Sequence, residues 1–329
     1  MTGAATTFRY DLDGQVIGIS ASRAELWPSF DLMLGALRVS ESVEAGFPVN
    51  IVETSALPEN PEGKVAFDGD VPLDGHCRLI DGGDVVHLIF PGLQMASIHA
   101  DEGWAEIRVH PGSTVKWTLL MTVLDAALDA GGQHMLHTAG LTLPDHNALV
   151  LIHAPSGTGK STTSMALASQ GFGLCSDDAM ILRATPDGTT AWGMPRKAKI
   201  HRNTAAMLPF LSPCLGDIWD AEGEQAVSLE RLSEIIRIED VRARPVAALL
   251  HLARSADGKT RLIPMARTDA MVALATDNVR TGMTGLLPMQ KRRMATIAAL
   301  VKAVPTFTLE VGSSPTDAAA LIRAVLDQA

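Results

Sequence analysis

Ala148-Leu149-Val150-Leu151-Ile152-His153-Ala154-Pro155-Ser156-Gly157-Thr158-Gly159-Lys160-Ser161-Thr162 is the stretch on which the fold turns. Ala148 to His153 is a short apolar run of the kind that makes a buried strand, and Lys160 to Gln170 spaces its residues as a helix. Between them lies a loop of small residues. A strand that delivers such a loop to the start of a helix makes an anion cradle: backbone N–H groups from Ser156 to Thr162 wrap a phosphate, and the positive end of the helix points at it. Gly157 and Gly159 permit the close backbone approach. Lys160 is placed to bridge terminal phosphates, and the Ser161 hydroxyl to hold Mg²⁺ on the same oxygens. The first glycine of the usual GxxxxGK[ST] spacing is Ala154 here, a departure that the strand-loop-helix context offsets. ATP with Mg²⁺ is the expected ligand pair.

Working outward, the helix is followed by a strand ending in Ser176-Asp177-Asp178. In a parallel βαβ arrangement the end of that strand lies beside the loop, so both carboxylates are expected near the phosphates. Phosphoryl transfer needs charge neutralisation and an acceptor for a hydroxyl proton, duties that two adjacent carboxylates can divide. A turn-closing role is the plainer alternative. Upstream, His137 in Leu136-His137-Thr138-Ala139-Gly140 is a candidate site residue or an ordinary histidine bonded to backbone. His134 and His137 lack a third ligand of useful spacing for zinc. Further strands are expected at Met180 to Arg183, Thr190 to Met194, Val246 to Ala253 and Thr260 to Ile263. Ser314-Pro315 with Asp317 reads as the capped start of a last helix running to Gln328.

From Thr6 to about His110 the pattern is different: alternating runs such as Phe8 to Leu12, Val85 to Phe90 and Trp104 to Val109, broken by Gly, Pro and Asp clusters, predict strands. Arg23 to Val39 stays unassigned. Pro111-Gly112 marks a break, after which Ser113 is expected to cap a helix to about Ala130. The resulting fold class is α/β: a P-loop-containing kinase domain over 113–329 with a mixed sheet flanked by helices, preceded by a smaller β-rich N-terminal domain over 1–112. That domain would shape an acceptor site or a homo-oligomer contact.

The 329 residues, 47% of them apolar, are enough for a real core, and a formal charge of −10 argues against a nucleic-acid-coating protein. No apolar run approaches the roughly 20 residues that span a bilayer. Three cysteines without CxxC spacing, and an N-terminus without a charged-then-apolar leader, suggest the cytoplasm.

Met135 to Arg183 resembles the HPr serine kinase/phosphorylase family, P-loop kinases akin in fold to phosphoenolpyruvate carboxykinase. The resemblance rests on Leu136-His137 before the loop strand, Gly159-Lys160-Ser161, Gly171-Phe172 at the helix end and Asp177-Asp178. It implies Asp178 as catalytic base, His137 beside it, Lys160 on the transferred phosphate, Ser161 on Mg²⁺ and Asp177 as a supporting or metal-side carboxylate. Gly193-Met194-Pro195-Arg196-Lys197 resembles a basic segment of shorter relatives, which would put Arg196 or Lys197 on phosphate; an exposed basic turn is the alternative. The Glu-Ile-Arg-Gly segment and C-terminal arginine signature of the bifunctional enzymes do not occur here, so HPr is not the expected acceptor. The acceptor would be a protein or peptide serine or a small alcohol. A nucleotide-dependent switch or scaffold and a kinase with another phosphoryl donor remain the rival readings. Gln290-Lys291-Arg292-Arg293 is expected to be a solvated charged face.

Overall fold

Phe8 to Leu12 alternates as a strand should, and β1 (Thr6–Leu12) turns into β2 (Gln15–Ala21) through Asp13-Gly14. These two residues have φ of 53° and 89°, the left-handed pair of a type I′ hairpin, and Asp11 Oδ1 accepts the Gly14 N–H at 2.6 Å. The computed structural model describes residues 6–26, 28–58, 60–144, 146–155, 157–279 and 286–326. It divides into two units, Met1–His134 with Val279–Met294 and Met135–Asn278 with Ala295–Ala329. The division thus falls after His134, not at 112/113.

In the first unit α1 (Pro28–Leu34) occupies the stretch left unassigned; Pro28 opens it, where a missing N–H costs nothing. There follow β3 (Arg38–Val39), β4 (Phe47–Glu53), β5 (Lys64–Val71), β6 (Gly75–Asp81), β7 (Val86–Phe90), β8 (Gln94–His99), β9 (Trp104–Val109) and α2 (Trp117–Ala130). The strands form one sheet of order β3-β1-β2-β4-β9-β8-β7-β6-β5, parallel at β2-β4 and β4-β9 and antiparallel elsewhere. Alternate residues such as Tyr10, Leu12, Val49, Ile51, Ile107 and Val109 are buried. Helix α2 packs on β2 and β8, which is why it belongs here.

Two expectations fail in this unit. Ser113 does not cap α2: the helix starts at Trp117, and Asp74, in the β5–β6 turn, accepts the Thr118 N–H at 2.6 Å. Gln290 to Arg293 is not a solvated face either. Gln290 and Arg293 are buried, Arg293 donates to Asp125 at 2.6 Å and Arg292 to Asp129 at 3.0 Å, so acids on α2 neutralise the basic run.

β10 (Gln133–Leu136) crosses the division. The second unit holds β11 (Ala139–Thr142), β12 (Leu149–His153), α3 (Lys160–Ala168), β13 (Gly173–Ser176), β14 (Met180–Thr185), β15 (Gly188–Gly193), β16 (Ala198–His201), α4 (Arg202–Met207), β17 (Glu224–Val227) and α5 (Leu229–Ser233). Then come β18 (Arg244–Arg254), β19 (Arg261–Pro264), α6 (Arg267–Asn278), α7 (Leu287–Ala303), of which the part from Ala295 lies here, β20 (Thr306–Val311) and α8 (Ala318–Leu326). The sheet is mixed, with strands in the order β14-β15-β18-β12-β11-β13. β12 and β20 both run parallel to β18; β11 runs antiparallel to β12 and β13 and separates them. Side chains alternate on β12: Val150 and Ile152 enter the core shared with Met165 and Leu167 of α3, while His153 has the parity of the other face. Before α8, Ser314 makes no side-chain cap, and its hydroxyl pairs instead with that of Thr316 at 2.7 Å. The end expected at Gln328 lies outside the described residues.

Cys77, Cys175 and Cys214 are buried free thiols. Among the described residues no helix is long and apolar enough to cross a membrane.

Candidate functional site

β12, β13, β18 and β20 point the same way, since β13 and β12 are both antiparallel to β11 and the other two are parallel to β12 through β18. Their carboxyl ends open on one cleft of about 880 Å³. The loop and first turn of α3 follow β12, Asp177-Asp178 follow β13, Arg254-Ser255 end β18, and Val311-Gly312-Ser313 end β20. Such a crevice at the carboxyl ends of strands is where open α/β sheets present their chemistry, because chain reversals there leave backbone and side chains unpaired by the ladder.

The loop is built by glycine. Gly157 and Gly159 have φ of 76° and 113°, a region closed to most side chains, and Gly159 precedes the first helical residue, Lys160. Thr163 N–H makes the first helical bond, to the Gly159 carbonyl at 2.9 Å, so the N–H groups before it have no partner within the helix. Ser164 Oγ donates to the Lys160 carbonyl at 2.9 Å, and Arg254 Nη2 donates to the Gly157 carbonyl at 3.0 Å.

Asp178 is the electrostatic centre. Lys160 Nζ lies 3.1 Å and His137 Nε2 2.6 Å from Asp178 Oδ1, and Arg196 Nη2 donates to Oδ2. Burial would raise this carboxyl, but the His137 hydrogen bond and the Lys160 and Arg196 charges outweigh it and hold Asp178 well below the usual carboxylate range. Asp177 is its opposite. Buried at 3% exposure and beside the charge of Asp178, it is pushed up to about 6, although the Lys199 N–H donates to its Oδ2 at 3.3 Å. Burial also lowers Lys160, against the pull of Asp178.

All the described candidates from the sequence meet in this region. Gly157, Thr158, Gly159, Lys160, Ser161, Thr162, Asp177, Asp178 and His137 line the cleft, and Arg196 joins it through Asp178. Ser156 lies outside the described residues. Thr162 turns its hydroxyl to Thr204 at 2.7 Å, which leaves its backbone N–H for the loop. Lys197, the other half of the basic pair, is exposed. Among the described residues no group of three or more His, Cys, Asp or Glu side chains is placed to hold a metal.

Four contributors escaped the sequence reading. Lys199 and Glu224, paired at 3.0 Å across the β16–β17 hairpin, line the cleft. Arg254 was findable as a basic residue closing a long apolar strand. Asn278, 141 positions from His137, accepts the His137 N–H at 2.7 Å and carries no local signal at all.

No family model matches the sequence, and no curated protein matches it. Among solved structures the chain is similar to the Hpr(Ser) kinase/phosphatase from Coxiella burnetii, at 14% identity and a TM-score of 0.32, over 59% of this chain and 97% of that one.

Proposed function

We propose that the second unit is a phosphotransferase that moves the γ-phosphoryl group of ATP, with Mg²⁺, to a hydroxyl acceptor. One observation carries the reading: a glycine loop at a helix start and an aspartate held by His137, Lys160 and Arg196 share a single cleft. The backbone N–H groups of Gly157 and of Gly159 to Thr162 take the phosphates, the Thr158 N–H being bonded to the Pro155 carbonyl at 3.2 Å, and Lys160 takes the oxygens of the transferred group. Ser161 Oγ and the Asp177 carboxylate are hard oxygen donors that suit Mg²⁺, which usually keeps one or two protein ligands and completes its shell with phosphates and water. The ion would supply charge neutralisation at the transferring phosphate.

In the transfer step the acceptor oxygen bonds to the γ-phosphorus as the bond to the bridging β–γ oxygen breaks, ADP leaves, and the acceptor proton passes to Asp178. A carboxylate held far below its ordinary range is a weak base. Donor binding lessens this, because Lys160 and Arg196 turn from Asp178 to phosphate oxygens and take away two of the groups that depress it. His137 stays on Asp178 and orients it. The same cations therefore restrain the base until a phosphate competes for them.

The test is transfer of label from γ-labelled ATP with Mg²⁺ to separate protein and small-metabolite fractions of a cell extract. Label that appears in either fraction with the wild type and is lost with Asp178→Asn supports a kinase and names the acceptor class. Tight ATP binding with no label transferred would replace this reading with a nucleotide-dependent switch.

A further inference from the structure

His137 reaches Asp178 from a half-exposed position, its side chain 43% accessible, so packing alone does not hold it. Its backbone sits in a tight turn: Thr138 N–H bonds to the Leu136 carbonyl at 2.8 Å, across His137, between β10 and β11. The His137 N–H points out of that turn to Asn278 Oδ1 at 2.7 Å. Asn278, the last residue of α6, is buried at 6% exposure, and its Nδ2 donates to the Leu274 carbonyl at 2.9 Å. That second bond settles the amide: nitrogen toward the helix, oxygen toward His137. The preceding residue does the same for the loop strand. Asp277 Oδ2 lies 2.9 Å from Nε2 of His153, the residue that ends β12, and His153 Nδ1 lies 3.1 Å from Nδ1 of its register partner His251. One dipeptide at the end of α6 thus grips both the His137 turn and the strand that delivers the phosphate loop.

We infer that Asn278 is a positioning residue for the transfer reaction, one that sets His137 against Asp178 through the His137 backbone; this rests on the phosphotransferase reading above. Its bond fixes where the turn stands, and the turn fixes the angle at which the imidazole meets the carboxylate. The cost of losing it falls on the chemical step, since displacement of an orienting group by about 1 Å can cost about 100-fold in rate. Nucleotide affinity, which lies with the loop and Lys160, is untouched.

The experiment is a double-mutant cycle with a packing control. Asn278→Ala is expected to lower kcat by about 10- to 100-fold with the KM for ATP within about twofold. In a His137→Ala background the same substitution should change kcat by less than about twofold, because the group it positions is gone. Leu300→Ala, which truncates a buried residue of α7 outside that chain of bonds, should lose stability and keep kcat. The His137 ring ¹⁵N and ¹H shifts should move in Asn278→Ala and stay in Leu300→Ala. An equal loss of kcat in both backgrounds, or His137 ring shifts unchanged by Asn278→Ala, overturns the assignment. If the wild type transfers no phosphoryl group, the functional reading fails by that result, and the ring shifts alone still decide whether Asn278 positions His137.

Discussion

Each unit contains an aspartate that gathers cations, and the two clusters behave differently. Asp129, on α2, has a side chain only 4% exposed; it receives Arg292 through two bonds of 3.0 Å and a shorter one, with His134 Nδ1 3.7 Å away and the Arg293–Asp125 pair on the same two helices. Asp178, with 32% of its side chain accessible, receives His137, Lys160 and Arg196 from three separate segments at the wall of a cleft. A carboxylate closed in with its partners ties elements together, and breaking the tie leaves a charge buried. A carboxylate at a cleft, beside a helix start with unbonded N–H groups, can give up its cations to an incoming anion. Burial, more than the number of partners, separates a tie from a site.

Lys160→Ala is the harshest way to break the contrast. It should cut phosphoryl transfer by at least about 1000-fold and weaken ATP binding, read by labelled transfer and by titration of ATP. Asp178→Asn should lower kcat by about 100- to 1000-fold while ATP binds as well as before or tighter, since Lys160 is released from its partner. A full transfer rate in this variant would remove Asp178 from the chemistry. Arg292→Ala should do the reverse: kcat within about twofold, and a loss of about 3 kcal/mol in urea unfolding monitored in the first unit, because the Asp129 carboxylate is left buried without its arginine.

The smallest effect is a pH dependence. Burial pushes His134 down to about 4, against the pull of Asp129, so the folded protein keeps it neutral while the unfolded chain takes up a proton near the ordinary 6.5. The stability tied to this neutral histidine is whole above about pH 6.5 and is lost as pH falls toward 4. Between pH 7.5 and 5.5 the wild type should lose about 1 kcal/mol more than His134→Leu, by urea unfolding at both pH values; equal losses would show that His134 is not the group responsible.

What was legible in the chain was what depends on near neighbours. The strand at Phe8 to Leu12, the alternation of β9, and the run from β12 through the loop into α3 follow from period-two burial, the φ preferences of glycine and unbonded helix N–H groups, all set within a few residues. The misreadings have one cause. Ser113 was expected to cap α2, but Asp74, 44 positions from Thr118, serves that helix. Gln290 to Arg293 read as a solvated face because their acids stand more than 160 positions earlier, at Asp125 and Asp129. The boundary at 112/113 followed a Pro-Gly break, whereas the packing of α2 on β2 and β8 assigns that helix to the first unit.

The site divides along the same line. By itself the sequence determined that a glycine loop opens a helix at Lys160 and that two aspartates end the next strand, because strand, turn and helix are written in adjacent residues. Only the tertiary structure decided that β11 would lie between those strands, that Arg196 would close on Asp178 while Asp177 stays buried, and that Asn278 would hold the His137 backbone. Those contacts span from 18 to 141 positions, and sheet order and packing set them.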